Sequence, residues 1–267
     1  SLIATEDLPS FESNVFALYS STAGVSKFPA TTLQKMLTGK MVSVAPFIES
    51  YSQGVDGMCS PKDFETLLQL TYLYYTAPRF SEEEFASSMN QLKAVVPNLV
   101  KQPNFQLQTE LTKVLYGDNP RKFVISPEML EKVSIPTMER VYKSLFSNAA
   151  GSIVRIVGNV NPEEIKPFVE KYIGSIPTEK KAPKWVDTKE NIVKGEVNHT
   201  FPVEMTTPKT TVALVITADV ENTLENSVTT SAINYILDLI YTESIREEEG
   251  GTYGVSSYGT ISELPEN

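Results

Sequence analysis

Signals that start and stop helices recur along this chain, and they limit its possible folds more than any other feature of the sequence. Proline stands where it suits the first turn of a helix at Pro61, Pro103, Pro136 and Pro162, because its missing N–H costs nothing there. A glycine such as Gly117 then ends the apolar-periodic stretch, since glycine takes the left-handed conformation of a helix end without a steric penalty. This punctuation predicts a series of separate helices of ordinary length.

The predicted helices follow several predicted strands. Ser81 and Glu84 have the spacing of a capping box, in which the serine side chain and the glutamate each satisfy a free N–H of the first turn. A short helix is predicted to end at Gly39. The longer helices are predicted over 60–76, 81–97, 103–117, 136–146 and 162–172, and the strands over 14–20, 42–49, 51–59 and 153–157. Strands, then helices, then a returning strand predict an α+β fold, a mixed and mostly antiparallel sheet with helices packed on one face.

The domain organisation follows from a polar interruption late in the chain. Residues 178–195 are charged and nearly aperiodic, which is typical of an interdomain linker. The sequence therefore predicts one α+β domain over 1–177 and a second over 196–267. The second begins with a strand over 212–216 and repeats the order strand, helix, glycine stop and strand, so it is expected to be a truncated copy of the first domain's plan.

The segment 245–255 carries the strongest functional signal, Ile-Arg-Glu-Glu-Glu-Gly-Gly-Thr-Tyr-Gly-Val. It follows a stretch of apolar residues at helical spacing, and Gly250 and Gly251 are expected to stop that helix. Arg246 would then lie on the last helical turn and Tyr253 at the entry to the next strand. A guanidinium and a phenol placed across such a stop can both donate hydrogen bonds to one carbonyl oxygen.

A structural interpretation of the same two residues is open on these grounds alone. Arginine near the C-terminus of a helix commonly interacts with the negative end of the helix dipole, and tyrosine on a strand commonly packs. The run from Glu247 to Glu249 does not serve helix stability, because the dipole disfavours negative charge at that end.

The segment with Arg246 and Tyr253, seven residues apart, resembles the arginine–tyrosine segment in the C-terminal half of pitrilysin/insulinase-type zinc metallopeptidases. The stretches 28–39, 68–78, 156–160 and 172–177 are more loosely similar to the third domain of that family. The resemblance implies two halves that close like a clamshell around an unfolded peptide. It also implies that Arg246 and Tyr253 hold the carbonyl of the scissile bond and steady the oxyanion, so both are candidate catalytic and substrate-binding residues.

The zinc motif of that family, H-x-x-E-H, is absent from these 267 residues. A catalytic zinc needs about three protein ligands, and His199 has no second histidine to partner it. No metal ligand is therefore predicted in this chain, and the resemblance implies that zinc and the general base belong to an N-terminal half or a partner subunit. The single cysteine, Cys59, excludes an internal disulfide and is expected to be a small hydrophobic residue rather than a nucleophile.

Charge and hydropathy limit the possible binding partners and the possible location of the protein. The net charge of −10 argues against nucleic acid, whose phosphates require a basic face. The sequence contains no apolar run long enough to cross a membrane, and residues 1–20 do not have the pattern of a signal peptide. Bacterial relatives in the resembled family imply a periplasmic or secreted protein.

The chain is predicted to be a fragment from the C-terminal half of a zinc-dependent metalloendopeptidase that acts on peptides. The fragment is not expected to be catalytic by itself. The alternative is a non-catalytic homologue that serves as an assembly subunit or a peptide-binding partner. A freestanding peptide-binding module is a third interpretation, and the unfinished second domain disfavours it.

Overall fold

The computed structural model describes residues 10–49, 51–117, 119–182, 187, 189–250, 252 and 254–262. The chain divides into two compact units. Unit 1 comprises Ser1–Thr188 and Gly195–Glu204, and unit 2 comprises Lys189–Lys194 and Met205–Asn267.

Unit 1 contains eight of the helices and the two strands that can be assigned in the described ranges. In chain order they are α1 (Ser10–Ala23), α2 (Ala30–Met36), β1 (Val42–Ile48), β2 (Gln53–Cys59), α3 (Phe64–Thr76), α4 (Glu82–Leu99), α5 (Pro103–Tyr116), α6 (Pro127–Leu130), α7 (Ile135–Phe146) and α8 (Pro162–Phe168). A 3-10 turn over Pro61–Asp63 precedes α3, and a π-helical turn over Val169–Ile173 extends α8. Unit 2 contains α9 (Leu224–Tyr241), which a π-helical turn over Thr242–Glu248 extends.

The two strands form an antiparallel hairpin that pairs from Val42 with Cys59 to Ile48 with Gln53. Helix α3 packs against both strands, while Ser43 and Met58 on the opposite face are exposed. The predicted α+β class is confirmed, and helices cover one face of the sheet.

The main core of unit 1 lies where α1, α4 and α7 meet. Its centre is aromatic: the Tyr142 ring stacks on Phe146 at 4.2 Å between centroids, and Phe16 lies 4.4 Å from Tyr142. The Tyr142 hydroxyl donates a 2.7 Å hydrogen bond to the carbonyl of Tyr74. That carbonyl lies in the last turn of α3, and Pro78, four residues on, has no N–H to offer it. The Tyr142 hydroxyl thus replaces the backbone N–H donor that Pro78 lacks.

Helix boundaries set by proline and glycine agree with the sequence prediction. Helix α3 ends at Thr76 and α5 runs from Pro103 to Tyr116, with Gly117 at a φ of 58°. At the start of α3, the Asp63 carboxylate accepts from the Ser60 hydroxyl at 2.6 Å and from the Met41 N–H at 2.9 Å.

The predicted strand over 14–20 is wrong, because these residues lie inside α1. The run Val-Phe-Ala-Leu-Tyr is typical of a strand over five residues. Over a longer window, Val15, Phe16, Tyr19 and Ala23 are buried at the spacing of one helix face. The internal repeat therefore loses its first element, although both units retain a helix, a glycine with positive φ (Gly39 in unit 1) and an extended segment.

The predicted capping box at α4 is also wrong. The Ser81 N–H, which the box would pair with Glu84, donates to the Tyr19 hydroxyl at 2.8 Å. Glu84 instead pairs with Arg79 at 3.0 Å. A tyrosine from α1, distant in sequence, has taken the place of the local partner. Pro97 lies within α4 and does not end it.

The residues 153–157 and 212–216, predicted as strands, are neither helical nor paired in a sheet with any described residue. Their side chains are largely exposed, as at Val157 and Ile216. An apolar β-branched run favours the extended backbone, but burial requires a neighbouring strand.

Candidate functional site

The candidate site begins with helix α9, whose start is fixed by a local cap. The Thr223 side chain accepts from the Asn226 N–H at 3.1 Å, which satisfies one of the free donors of the first turn. At Thr242 the helix widens into the π-helical turn, where the Glu249 N–H donates to the Ser244 carbonyl, five residues back, at 3.1 Å. Single π-helical turns are rare and often occur at functional sites.

Arg246 lies on this π-helical turn, and its side chain is exposed. Within the described ranges, it forms no hydrogen bond or ion pair. The three glutamates that follow, Glu247 to Glu249, are exposed as well. The guanidinium therefore keeps its five N–H donors available for a ligand, and its position at the helix end also suits the helix dipole.

Gly250 ends the helix with a φ of 63°, the left-handed conformation expected of a glycine stop. Gly251 and Tyr253 lie outside the described residues. Between them Thr252 is described, and its hydroxyl donates to the Gly254 carbonyl at 2.9 Å and accepts from the Gly254 N–H at 3.2 Å. The structure thus places Arg246 and the residues on either side of Tyr253.

Residues 254–262 form an extended segment, called here the returning segment, that runs back along α9. The Asp238 carboxylate accepts from the Ser257 N–H, and the Ser257 hydroxyl donates to the Asn234 carbonyl at 3.0 Å. The Asn234 side-chain amide donates to the Gly259 carbonyl at 2.9 Å. Alternate residues of the segment are half-buried, namely Val255, Ser257, Gly259 and Ile261.

Asn234 and Asp238 are residues that the sequence prediction missed. Their spacing of four places both side chains on one stripe of α9, and both side chains form hydrogen bonds with the returning segment. Much of the apolar stripe of α9 is exposed: Ile236, for example, keeps 52% of its surface accessible. The sequence did contain a signal for them, since Asn234 and Asp238 are two polar residues with short side chains that lie four positions apart, next to an apolar stripe.

His199 and Cys59 lie in unit 1, and neither joins other described side chains in a group that could bind a metal ion. His199 Nε2 lies 3.2 Å from Glu110 Oε2, and Lys113 contacts the other oxygen of that carboxylate at 2.7 Å. Hydrogen bonding and charge from Lys113, assisted by His199, lower the pKa of Glu110. Burial, assisted by the charge of Asp63, raises the pKa of the Cys59 thiol, which keeps the sulfur protonated and weakly nucleophilic.

The part of the chain that the structure describes holds no group of three or more histidine, cysteine or acidic side chains that could bind a metal ion. These residues therefore do not fit a catalytic zinc, which needs about three protein ligands. In the same ranges, no helix is both long and apolar enough to cross a membrane.

A comparison with protein families finds a match. The sequence profile of a family described as the peptidase M16 inactive domain matches residues 132–265, which is 134 of the 267 residues. No curated protein matches.

Solved structures with a similar fold include several proteases. The periplasmic protease PqqL from Escherichia coli has a TM-score of 0.69 and 16% identity, and the match covers 96% of this chain and 28% of PqqL. The ferredoxin protease FusC, solved as a mutant in complex with Arabidopsis ferredoxin, has a TM-score of 0.56 and 16% identity over 72% of this chain and 21% of FusC. A peptidase M16 inactive domain from Pseudomonas fluorescens has a TM-score of 0.52 and 16% identity over 68% of this chain and 46% of that chain. At this identity the likeness establishes the fold, and the chain spans about a quarter of the length of the first two proteins.

Proposed function

Because the chain belongs to the peptidase M16 inactive-domain family, we propose that it forms part of the C-terminal half of a zinc-dependent metalloendopeptidase that acts on peptides. In this proposal the half forms one wall of a clamshell chamber around an unfolded peptide. Zinc and the general base come from an N-terminal half or a partner subunit, since the described residues of this chain do not assemble a zinc site.

The observation that carries the proposal is the placement of Arg246. Its guanidinium is exposed on a π-helical turn and bonded to none of the described residues, and the chain then reverses at Gly250 into the returning segment. Arg246 would hold the substrate backbone or add positive charge beside the scissile carbonyl. Tyr253, which precedes the returning segment in sequence, would donate a hydrogen bond to that oxygen as negative charge develops on it.

The similarity to a periplasmic protease of Escherichia coli supports a periplasmic or secreted location as part of the same proposal. The exposed glutamates beside Arg246 have no chemical role in it.

The test uses the full-length protein with its zinc bound. Arg246→Ala and Tyr253→Phe should each lower kcat by about 10²–10³-fold, the usual effect of removing one oxyanion donor. Zinc content should stay the same, and the free energy of unfolding should change by about 1 kcal/mol or less, the scale of one hydrogen bond. The measurements are steady-state kinetics on a quenched fluorogenic peptide, metal analysis and a melting curve.

Two matched controls are present in the chain. Arg155 is exposed and has no ion pair with any described residue, and Tyr258 on the returning segment is 88% exposed. Arg155→Ala and Tyr258→Phe should turn over substrate at the wild-type rate. Unchanged turnover in Arg246→Ala and Tyr253→Phe would return both residues to a structural role. An inactive wild type with zinc bound would favour the non-catalytic homologue, a peptide-binding partner.

A further inference from the structure

The hydrogen bond between Asp238 and Ser257 closes a loop that contains both proposed carbonyl-binding residues. Its two ends are 19 positions apart in sequence, and Arg246 and Tyr253 both lie between them. The bond fixes the chain to α9 at Ser257, four positions after Tyr253 in sequence.

Side chains of α9 provide the closure. Along the returning segment, the described residues form no sheet ladder. Three hydrogen bonds between described residues hold it to the helix: the Asn234 and Asp238 side chains form two of them, and the Ser257 hydroxyl donates the third to the Asn234 backbone carbonyl. Because backbone pairing does not set the register, these two residues set it.

Packing at Gly259 limits how the segment can shift. A Cβ atom at this glycine would lie 3.0 Å from Asn234 Oδ1 and 3.3 Å from Thr230 Cγ2. The backbone thus approaches α9 closely at the same stripe that donates and accepts the hydrogen bonds. A slide of the segment by one residue would remove every one of these contacts and bring an exposed side chain, such as that of Tyr258, against the helix.

We propose that Asp238 and Asn234 are positioning residues of the catalytic site, which hold the segment after Tyr253 in fixed register with the helix that carries Arg246. The proposal rests on the proposed function. Two donors act on one oxygen only when both lie within hydrogen-bonding distance of it, and a displacement of about 1 Å can cost on the order of 10²-fold in rate. Neither positioning residue needs to touch the substrate.

The test uses the zinc-loaded full-length protein. Asp238→Ala should lower kcat by about 10- to 100-fold while KM changes less than about 3-fold, since a lost register impairs the transition state more than substrate binding. Asp238→Asn keeps a carbonyl oxygen that can accept the Ser257 N–H, so it should recover most of the lost kcat. The control is Ser231→Ala on the same helix, whose hydroxyl bonds only to the Ser227 carbonyl at 3.0 Å and whose loss should leave kcat unchanged.

Two further measurements separate positioning from general stability. Amide hydrogen exchange at Ser257 should speed up in Asp238→Ala and stay at the wild-type rate in Ser231→Ala. In a variant that already lacks the Arg246 guanidinium and the Tyr253 hydroxyl, Asp238→Ala should slow kcat by less than about 2-fold, because a residue that acts through others is not additive with them.

Wild-type turnover in Asp238→Ala, measured where Arg246→Ala and Tyr253→Phe are slow, would overturn the positioning role alone. The positioning role would also be overturned if Asp238→Ala lowered kcat by its full 10- to 100-fold in the variant that lacks both donors. Wild-type turnover in Arg246→Ala and Tyr253→Phe would overturn the proposed function and the positioning role together.

Discussion

Replacing Tyr142 by phenylalanine should destabilise unit 1 through a single backbone carbonyl. The ring keeps its place, stacked on Phe146 at 4.2 Å, so the packing of the core is retained. The hydroxyl that donates to the Tyr74 carbonyl at 2.7 Å is lost, and Pro78 cannot replace it. Tyr142 and Tyr74 are both buried, and burial raises the pKa of the Tyr142 hydroxyl, so it remains a donor across the working pH range.

The magnitude follows from leaving a buried acceptor without a partner, which costs about 1–3 kcal/mol. At roughly 2 kcal/mol, a unit of this size should melt about 4–8 °C lower than the wild type. The assay is thermal and urea unfolding followed by circular dichroism, with the urea midpoint lowered and the slope unchanged.

The matched control is Tyr172→Phe, which removes a hydroxyl from a half-exposed network. The Tyr172 hydroxyl donates to Glu65 at 2.7 Å and accepts from Gln69 at 2.9 Å, and water can replace both partners. Its loss should cost less than about 1 kcal/mol. Equal losses in Tyr142→Phe and Tyr172→Phe, or no loss in the first, would refute the reasoning about the orphaned carbonyl.

Two other predictions concern unit 1 and the domain boundary. The Ser60 hydroxyl and then the Met41 N–H lower the pKa of Asp63, so its contribution to stability is present above the unfolded-state pKa of about 4 and is lost as pH falls through the lower folded-state value. As the pH falls, the free energy of unfolding should therefore decrease more in the wild type than in Asp63→Asn. Parallel curves of stability against pH for the two proteins would contradict this. Limited proteolysis should cut first in the C-terminal tail or within 178–195, the predicted linker between domains 1–177 and 196–267, and a first cut inside 64–117 would count against that domain map.

Local chemistry explains which parts of the fold could be predicted from the sequence. Proline and glycine act on their own backbone, so Pro103, Gly117 and Gly250 mark element boundaries wherever the rest of the chain lies. Arg246 was placed correctly at a helix end for the same reason, although the π-helical turn was not foreseen. The predicted position of Tyr253 on a strand falls outside the described residues.

The parts of the fold and of the site that could not be predicted depend on partners distant in sequence. The Ser81 N–H donates its hydrogen bond to the Tyr19 hydroxyl, 62 positions away in sequence. A rule based on neighbouring residues considers only Glu84 as the partner. Asn234 and Asp238 bind backbone groups 19 to 25 positions away, so their importance depends on the chain reversal. The strand predicted over 14–20 failed because a five-residue window cannot separate a period of 2 from one of 3.6.

The order of the core along the chain also has a consequence during synthesis. Among the described residues, the buried members of the main core cluster all lie between Val15 and Phe146, whereas unit 1 ends at Glu204, 58 residues later. A ribosome that adds about 5–20 residues per second needs roughly 3–12 s for that stretch. Mixed helical and sheet domains fold faster than this, within about milliseconds to a second. The aromatic core can therefore form while the later residues of unit 1 are still being added, so that they join a structure already in place.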